Sequence, residues 1–343
     1  MQPGQHVLVS STTHAAPLLL ALQREVLERE AWPSLRVELP GQQEGFWAAA
    51  RDVHLDAHAR YELAEIEASD AVLRISAPEN ANALAGVDPT WLTRAARARK
   101  PVQEARLRRR WAVTAWPTPA AAQQAGMGTR DFAAFAERAL FLDRDDPSAA
   151  WGELRAFQEG LIERLAGVRE LRVEADGTDL TLSVAGRTWI NSDGRRNMPS
   201  GEVFTGPLED SAEGRIRFTV PSSPRGVTVE RVELELRAGR VVAARAERGD
   251  NYLQAALDSD PGARALGEIG IGTNFGIDRA VGATLFDEKI GGTIHLALGD
   301  SYPETGGINR SAVHWDLVCD LREGGRLSAD GETIMEDGEF RTP

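Results

Sequence analysis

The first third of the chain alternates short apolar runs with amphipathic stretches. Apolar runs predict strands at 6–11, 35–40, 71–78 and 111–117. Helical periodicity predicts helices at 16–30 and 88–99, and residues 43–66 are predicted to be mostly helical. Strands that alternate with helices favour a parallel sheet with helices on both faces. The pattern therefore predicts an α/β fold with a doubly wound N-terminal domain over residues 1–165.

The pattern changes beyond the middle of the chain. Two helices are predicted at 119–141 and 147–167, and from residue 170 apolar and polar positions alternate with DG and AG pairs at the turns. One further helix is predicted at 253–267, broken or restarted at Pro261. The sequence thus predicts a second domain over 166–343, mixed α+β and largely antiparallel, with the boundary at about 150–170.

Composition narrows the class of protein. The 343 residues suffice for two cores, and the net charge of −13 argues against binding of nucleic acid by the whole chain. The basic cluster at 94–110 lacks interleaved aromatic residues, so a solvated helical face is favoured over an acidic partner or a substrate carboxylate. No apolar run of about 18 residues exists, so no membrane partner is expected.

The single cysteine, Cys319, excludes an intrachain disulfide and fits a reducing cytoplasm. It lies in the apolar run VHWDLVCDL, which predicts a buried structural thiol. A nucleophilic thiol would need a base, and His314 lies five residues earlier, on the opposite face of a strand. The N-terminus lacks the basic and apolar regions of a signal peptide, so a cytoplasmic location is expected.

Side chains that ligate metals are concentrated between residues 268 and 316. Two of the six histidines, His295 and His314, lie here beside carboxylates. His314 and Asp316 are two residues apart in a β-like segment, so they project from one face. Carboxylates with neutral imidazoles suit zinc, cobalt or manganese. Each residue alone is more often hydrogen-bonded or solvated without a metal, and their joint occurrence is what predicts a metal site.

Further candidates lie in the glycine-rich turns around these histidines. They are Glu202 in PSGEVFTGP, Glu268 in LGEIGIGTNFG, Asp287 and Glu288 in FDEKIGG, and Tyr302 in HLALGDSYP. For Glu202 the alternative is an ordinary surface hairpin turn. The glycines around Glu268 do not match a dinucleotide-binding loop, so they are interpreted as tight packing beside that glutamate.

The segments NMPSGEVFTGP, ALGEIGIGTN, DEKIGGTIHLALGDSYP, TGGINRS and VHWDLV resemble those of the M29 metallo-aminopeptidases of the aminopeptidase T type. The resemblance is strong over about 170–335. Over the first part of the chain it is limited to the general character of the sequence. It implies two divalent metal ions held by six residues. These are Glu202, Glu268, His295, Tyr302, His314 and Asp316.

The same resemblance implies an aminopeptidase that releases N-terminal residues from peptides through a water activated by two metal ions. Glu268 is expected to bridge the two ions, Glu288 is the candidate general base, and Tyr302 either ligates a metal or donates to the oxyanion. A homodimer is implied as well. These roles come from the resemblance and not from the spacing of the residues.

Two other functions stay open. Paired metals also serve phosphoryl transfer, and Lys289 and Arg310 are cations near the ligands, although no basic run adjoins them. A non-catalytic interaction module is the second alternative. The motifs of two other hydrolase classes, HExxH of zincins and GxSxG of serine hydrolases, do not occur in the sequence.

Overall fold

The computed structural model describes residues 1–341, and these form two compact units. The first unit comprises Met1–Ala133 with Arg195–Met198, and the second comprises Ala134–Gly194 with the chain from Pro199 onward. The first unit thus includes a short segment from later in the sequence, which the hydrophobic pattern does not predict. The predicted domain boundary at residue 165 stays a prediction.

The first unit contains one five-stranded sheet and its helices. The strands are β1 His6–Thr12, β2 Trp32–Glu38, β3 Ala71–Ser76, β4 Arg110–Ala115 and β8 Asn197–Met198. The helices are α1 Ala16–Glu28, α2 Gln42–Ala49, α3 Asp52–Asp56, α4 Arg60–Ala68, α5 Pro89–Ala98, α6 Lys100–Leu107 and α7 Pro119–Gln124, and α8 Thr129–Ala139 leads into the second unit. All pairings are parallel, in the order β2-β1-β3-β4-β8.

Alternating side chains of β1 show why this sheet carries helices on both faces. Val9 belongs to a core with Leu19 of α1, whereas Leu8 belongs to a separate core with Ile66 of α4 and Val102 of α6. Successive strand residues point to opposite faces, so an apolar run buries both. The predicted doubly wound α/β arrangement is confirmed.

The basic cluster at 94–110 carries internal ion pairs in this unit. Arg94 contacts Asp52 at 2.9 Å and Asp56 at 2.6 Å, and Arg99 pairs with the buried Glu62. These pairs favour the interpretation of the cluster as a solvated helical face. No helix within residues 1–341 is long and apolar enough to cross a membrane.

The second unit is built from two antiparallel sheets. Its strands are β5 Glu170–Ala175, β6 Thr178–Ser183, β7 Ile190–Ser192, β9 Glu202–Thr205, β10 Glu213–Phe218, β11 Val232–Arg237, β12 Arg240–Arg245, β13 Leu266–Gly272, β14 Thr293–Gly299, β15 His314–Asp320, β16 Arg326–Ala329, β17 Glu332–Glu336 and β18 Glu339–Phe340. Its helices are α9 Pro147–Leu165, α10 Asp250–Leu257 and α11 Thr284–Asp287. The sheet orders are β12-β11-β10-β6-β5-β16-β17-β18 and β15-β14-β13-β9-β7. The predicted mixed, largely antiparallel character is confirmed.

Two helix predictions differ from the structure. The single helix predicted at 119–141 is two helices, α7 and α8, separated by a turn, and the helix predicted at 253–267 is wrong in its second half. The helix predicted at 253–267 ends at Leu257, and Leu266 already begins β13. The carboxylate of Asp260 accepts hydrogen bonds from the backbone N–H of Gly262 and of Ala312, which fixes a turn in place of another helical turn. Pro261 has no N–H to continue the helix.

The core of the second unit determines which strand face is free for chemistry. Ile269 of β13, Leu296 of β14 and Leu317 of β15 are buried in one large apolar cluster that includes residues of both sheets. Cys319 belongs to this cluster and is 1% exposed, and burial raises the pKa of its thiol to about 12. The predicted buried structural thiol is confirmed. The residues between these apolar positions face away from the core.

Candidate metal centre

Four neighbouring strands carry most of the predicted site residues on that free face. Glu268 of β13 and Asp316 of β15 each pair with Ala297 of β14, so the two carboxylates lie in one row across the sheet. His295 of β14 pairs with Gly270 of β13, one row away, and Glu202 begins β9 at the edge of the same face. Strand pairing therefore brings together residues that are up to 114 positions apart in the sequence.

The imidazoles and carboxylates contact one another directly. His295 Nε2 lies 3.3 Å from Glu268 Oε1 and 3.7 Å from Glu202 Oε2. His314 Nε2 lies 3.5 Å from Glu268 Oε2 and 3.5 Å from Asp316 Oδ1. Each oxygen of Glu268 thus faces a different histidine. The structure also places His314 and Asp316 on one side of β15, as their spacing predicts.

Glu288 reaches the cluster from the end of α11. Its neighbour Lys289 is fully buried and donates from Nζ to Glu202 Oε1 at 2.5 Å and to Glu288 Oε1. The sequence singled out Lys289 only as a cation that could hold a phosphate. A signal was nevertheless present, because the chain has 39 basic residues of which only Lys100 and Lys289 are lysines.

Tyr302 lies at the solvent side of the cluster, with 39% of its surface exposed. Its ring centroid is 5.1 Å from that of His314 and 5.6 Å from that of Phe204. The following turn is held by Arg187, which donates to the carbonyl oxygen of Gly306. The structure thus brings Tyr302 next to the other predicted site residues.

Asp287, in contrast, accepts a hydrogen bond from the backbone. Its Oδ1 accepts a hydrogen bond of 2.7 Å from Val281 N–H, and burial raises the pKa of this carboxyl to about 7. Arg310 donates to the carbonyl oxygens of Ser301 and Asn309. Since Lys289 is engaged by two glutamates, neither cation named for the phosphoryl-transfer alternative is set up to hold a phosphate.

Burial and mutual charge shift the protonation of the cluster. Burial alone would lower the pKa of His295 and of His314, but the neighbouring carboxylates outweigh it and raise these pKa values to about 9 and about 10. Burial raises the pKa of Glu288 to about 8, although Lys289 opposes this. Burial also raises the pKa of Glu268. In the absence of other cations, the cluster therefore retains protons at neutral pH.

Buried polar atoms that lack a hydrogen bond indicate whether these residues fit metal ions. Among residues 1–341, Glu202 Oε2, His295 Nδ1 and Asp316 Oδ1 are buried without a hydrogen-bond partner. Two groups have ligand atoms within 4.8 Å of one another, namely Glu202 with Glu288 and His295, and Glu268 with His295 and Asp316. Buried carboxylate oxygens that accept no hydrogen bond are costly, and divalent cations would satisfy them. The donor set of oxygens with imidazole nitrogens fits zinc, cobalt or manganese.

The fold and this cluster define a metal-dependent hydrolase. The chain belongs to the family of thermophilic metalloproteases M29, whose model matches residues 1–340. This confirms the predicted family and the predicted enzyme class, a metallopeptidase. The roles of individual site residues stay predictions.

Known proteins resemble the chain over more than half of its length, and two of them over nearly all of it. It is 32% identical to aminopeptidase 2 of Geobacillus stearothermophilus, over 99% of this chain and 91% of that protein. It is 33% identical to aminopeptidase T of Thermus thermophilus, over 59% of this chain and 54% of that protein. The solved structure of wild-type AmpT from Thermus thermophilus superposes with a TM-score of 0.87 at 25% identity, and the match covers 100% of this chain and 95% of that one.

Proposed function

We propose that the chain is an aminopeptidase that removes N-terminal residues from peptides with two divalent metal ions. Its similarity to proteins named aminopeptidases supports the reaction. The observation that carries the metal centre is the pair of ligand groups whose ligand atoms lie within 4.8 Å of one another, Glu202 with Glu288 and His295, and Glu268 with His295 and Asp316. The proposed ligands are Glu202, Glu268, His295, Tyr302, His314 and Asp316.

Glu268 is the residue best placed to serve both metal ions. Its two oxygens face different imidazoles, of His295 and of His314, at 3.3 and 3.5 Å. A carboxylate in this arrangement can donate one oxygen to each ion of a pair. The two candidate ligand groups share His295, which places them next to each other.

When bound, the ions would polarise the scissile carbonyl and activate a water for attack. Glu288 is the proposed general base, since its carboxylate lies within 4.8 Å of ligand atoms of Glu202 and His295 and could take a proton from a water at the centre. Tyr302 is proposed to contribute its hydroxyl either to a metal or to the developing oxyanion. The pKa of Tyr302 is raised by partial burial and by Glu268, so its hydroxyl stays protonated as a donor when no metal is bound.

A recess lies beside Glu288 and Asp316, and we propose that the N-terminal residue of the substrate contacts it. Its volume of about 300 Å³ includes open solvent, and the enclosed part is about the size of one water molecule. Val220, Pro221 and Val318 give it an apolar wall. An apolar wall next to polar reacting groups is the common design of small substrate sites.

The test is metal analysis combined with an activity assay. We expect about two ions per chain, and cleavage of Leu-p-nitroanilide that chelation abolishes and that zinc, cobalt or manganese restores. Substrates with a blocked N-terminus should remain intact, because an aminopeptidase needs the free amine. A protein without bound metal and without cleavage under any restored ion would refute the proposal.

The proposed assembly is a homodimer in the cytoplasm. The dimer rests on the resemblance to the family, and the location rests on the single, buried cysteine. Light scattering coupled to size exclusion distinguishes a dimer from a 37.2 kDa monomer.

A further inference from the structure

Lys289 is a buried lysine inside a cluster of acidic residues. None of its surface is exposed, and its ammonium donates to Glu202 Oε1 and Glu288 Oε1. Burial alone would lower the pKa of Lys289, but the two glutamates hold it above its ordinary value. An ammonium is a compact charge with three donors, whereas guanidinium is a wide planar fork. The chain uses arginine for nearly all other basic positions and lysine here.

The hydrogen bond from Lys289 gives the two carboxylate oxygens of Glu202 different roles. Lys289 takes Oε1, and the buried Oε2 has no hydrogen-bond partner in the described chain and lies 3.7 Å from His295 Nε2. Glu202 and Glu288 also belong to the same candidate ligand group. The ammonium thus joins two carboxylates from distant elements, β9 and the end of α11, and leaves one oxygen of Glu202 directed to the centre.

The negative charge of the cluster explains why a buried ammonium contacts its carboxylates. Four side-chain carboxylates meet at this site, those of Glu202, Glu268, Glu288 and Asp316. Like charges repel strongly where water is excluded, so the carboxylates need cations close by. Lys289 is a cation that the chain itself supplies to this cluster whether or not metals are bound.

We propose that Lys289 is a permanent counter-ion of the metal centre, which holds the ligand Glu202 and the general base Glu288 in position before the metal ions bind. This inference rests on the proposed metal centre. It assigns Lys289 a positioning role, in which the residue acts through the two glutamates and does not touch the substrate.

The proposal predicts an effect that depends on metal. Without Lys289, Glu202 and Glu288 in the metal-free protein lose the buried ammonium that donates to both of them, which destabilises the fold. Bound divalent ions supply the missing positive charge. Loss of the ammonium should therefore cost much stability in the metal-free protein and little in the loaded protein.

The experiment compares thermal unfolding of wild type and Lys289→Met, each after chelation and with saturating zinc. Methionine matches the lysine side chain as far as Cε and lacks the charged ammonium. We expect chelated Lys289→Met to unfold about 10 °C below chelated wild type, and zinc to close most of that gap. A variant that folds only with zinc is the same result in a stronger form.

Two control variants separate this effect from ordinary loss of charge. Lys100→Met removes the other lysine, which is exposed, and should not change either melting temperature. Arg155→Met removes one partner of the buried Asp193, 2.6 Å away, and neither residue belongs to the cluster. It should lower the melting temperature by the same amount with and without zinc.

The outcomes are distinct. Equal melting of chelated wild type and chelated Lys289→Met overturns the proposal, and so does a gap that zinc leaves unchanged. A wild-type protein that binds no zinc refutes the metal centre itself, which is a different failure.

A measurement on folded protein covers the case in which Lys289→Met never folds. In Lys100→Arg protein labelled with ¹³C at lysine Cε, Lys289 gives the only lysine signal. That signal should shift when zinc is added, because its partner Glu202 also ligates the metal. A signal that stays in place at full zinc loading overturns the proposal.

Discussion

Gly270 lies directly against the imidazole of His295. The two residues pair across β13 and β14, and a Cβ placed on Gly270 would be 2.0 Å from Cε1 and 2.4 Å from Nε2 of the ring. No side chain other than hydrogen fits there. The absence of a Cβ at Gly270 is therefore a condition for the position of His295, which belongs to both candidate ligand groups.

Gly270→Ala should displace His295 and reduce both metal content and activity. Loss of support for a metal ligand typically costs about 10–100-fold in metal affinity or activity, and direct displacement of the ligand should exceed that. Metal analysis and Leu-p-nitroanilide hydrolysis measure the two effects. Gly152→Ala is the matched control, since nothing lies within 4 Å of a Cβ on this residue of α9. Wild-type metal content and activity in Gly270→Ala would show that His295 is not a ligand.

Glu268→Ala and His314→Ala should each abolish hydrolysis while the fold persists. Glu268 contacts both imidazoles, and His314 contacts both Glu268 and Asp316, so each change removes a central donor. Hydrolysis and metal content should fall together, whereas the far-ultraviolet circular dichroism should remain that of wild type. Activity retained in both variants would refute the site assignment.

Cys319→Ser should leave hydrolysis within about twofold of wild type. The thiol lies in the core between the two sheets, and burial raises its pKa to about 12. At pH 8 only about one thiol in ten thousand would be ionised, which excludes a nucleophile. Alkylation of the wild-type protein should accordingly be slow until the chain is unfolded. Complete loss of activity in a folded Cys319→Ser protein would reopen a role for the thiol.

The pattern of apolar and polar residues predicted those features of the structure that depend on residues close together in the sequence. The alternation of strands and helices predicted the parallel sheet, and the two-residue spacing of His314 and Asp316 predicted their common face. The end of α10 was missed because side-chain contacts of Asp260 with residue 312, distant in sequence, fix the turn that follows it.

The role of Lys289 was missed for a related reason. Its partner Glu202 lies 87 residues earlier, and only the pairing of β9 with β13 brings that glutamate into the cluster. A lone lysine among carboxylates looks like an exposed charge until the fold buries it. Motif resemblance could indicate the acidic and histidine ligands, but not the cation that joins two of them.

Asp287→Asn should change how stability depends on pH. Burial raises the pKa of Asp287 from 3.8 to about 7, so the folded protein holds this proton more tightly than the unfolded chain does. The resulting stabilisation is complete below about pH 4 and is lost as the pH rises through 7. The full change amounts to on the order of 4 kcal/mol.

Asparagine keeps an oxygen that can accept the hydrogen bond from Val281 N–H but cannot ionise. The free energy of unfolding of wild-type protein, measured with denaturant in the presence of chelator, should therefore fall more steeply between pH 5 and pH 8 than that of Asp287→Asn. The two proteins should differ least near pH 5, where the aspartate is protonated. Parallel curves over this range would mean that Asp287 is already ionised at pH 5, and that its hydrogen bonds with the backbone outweigh the cost of its burial.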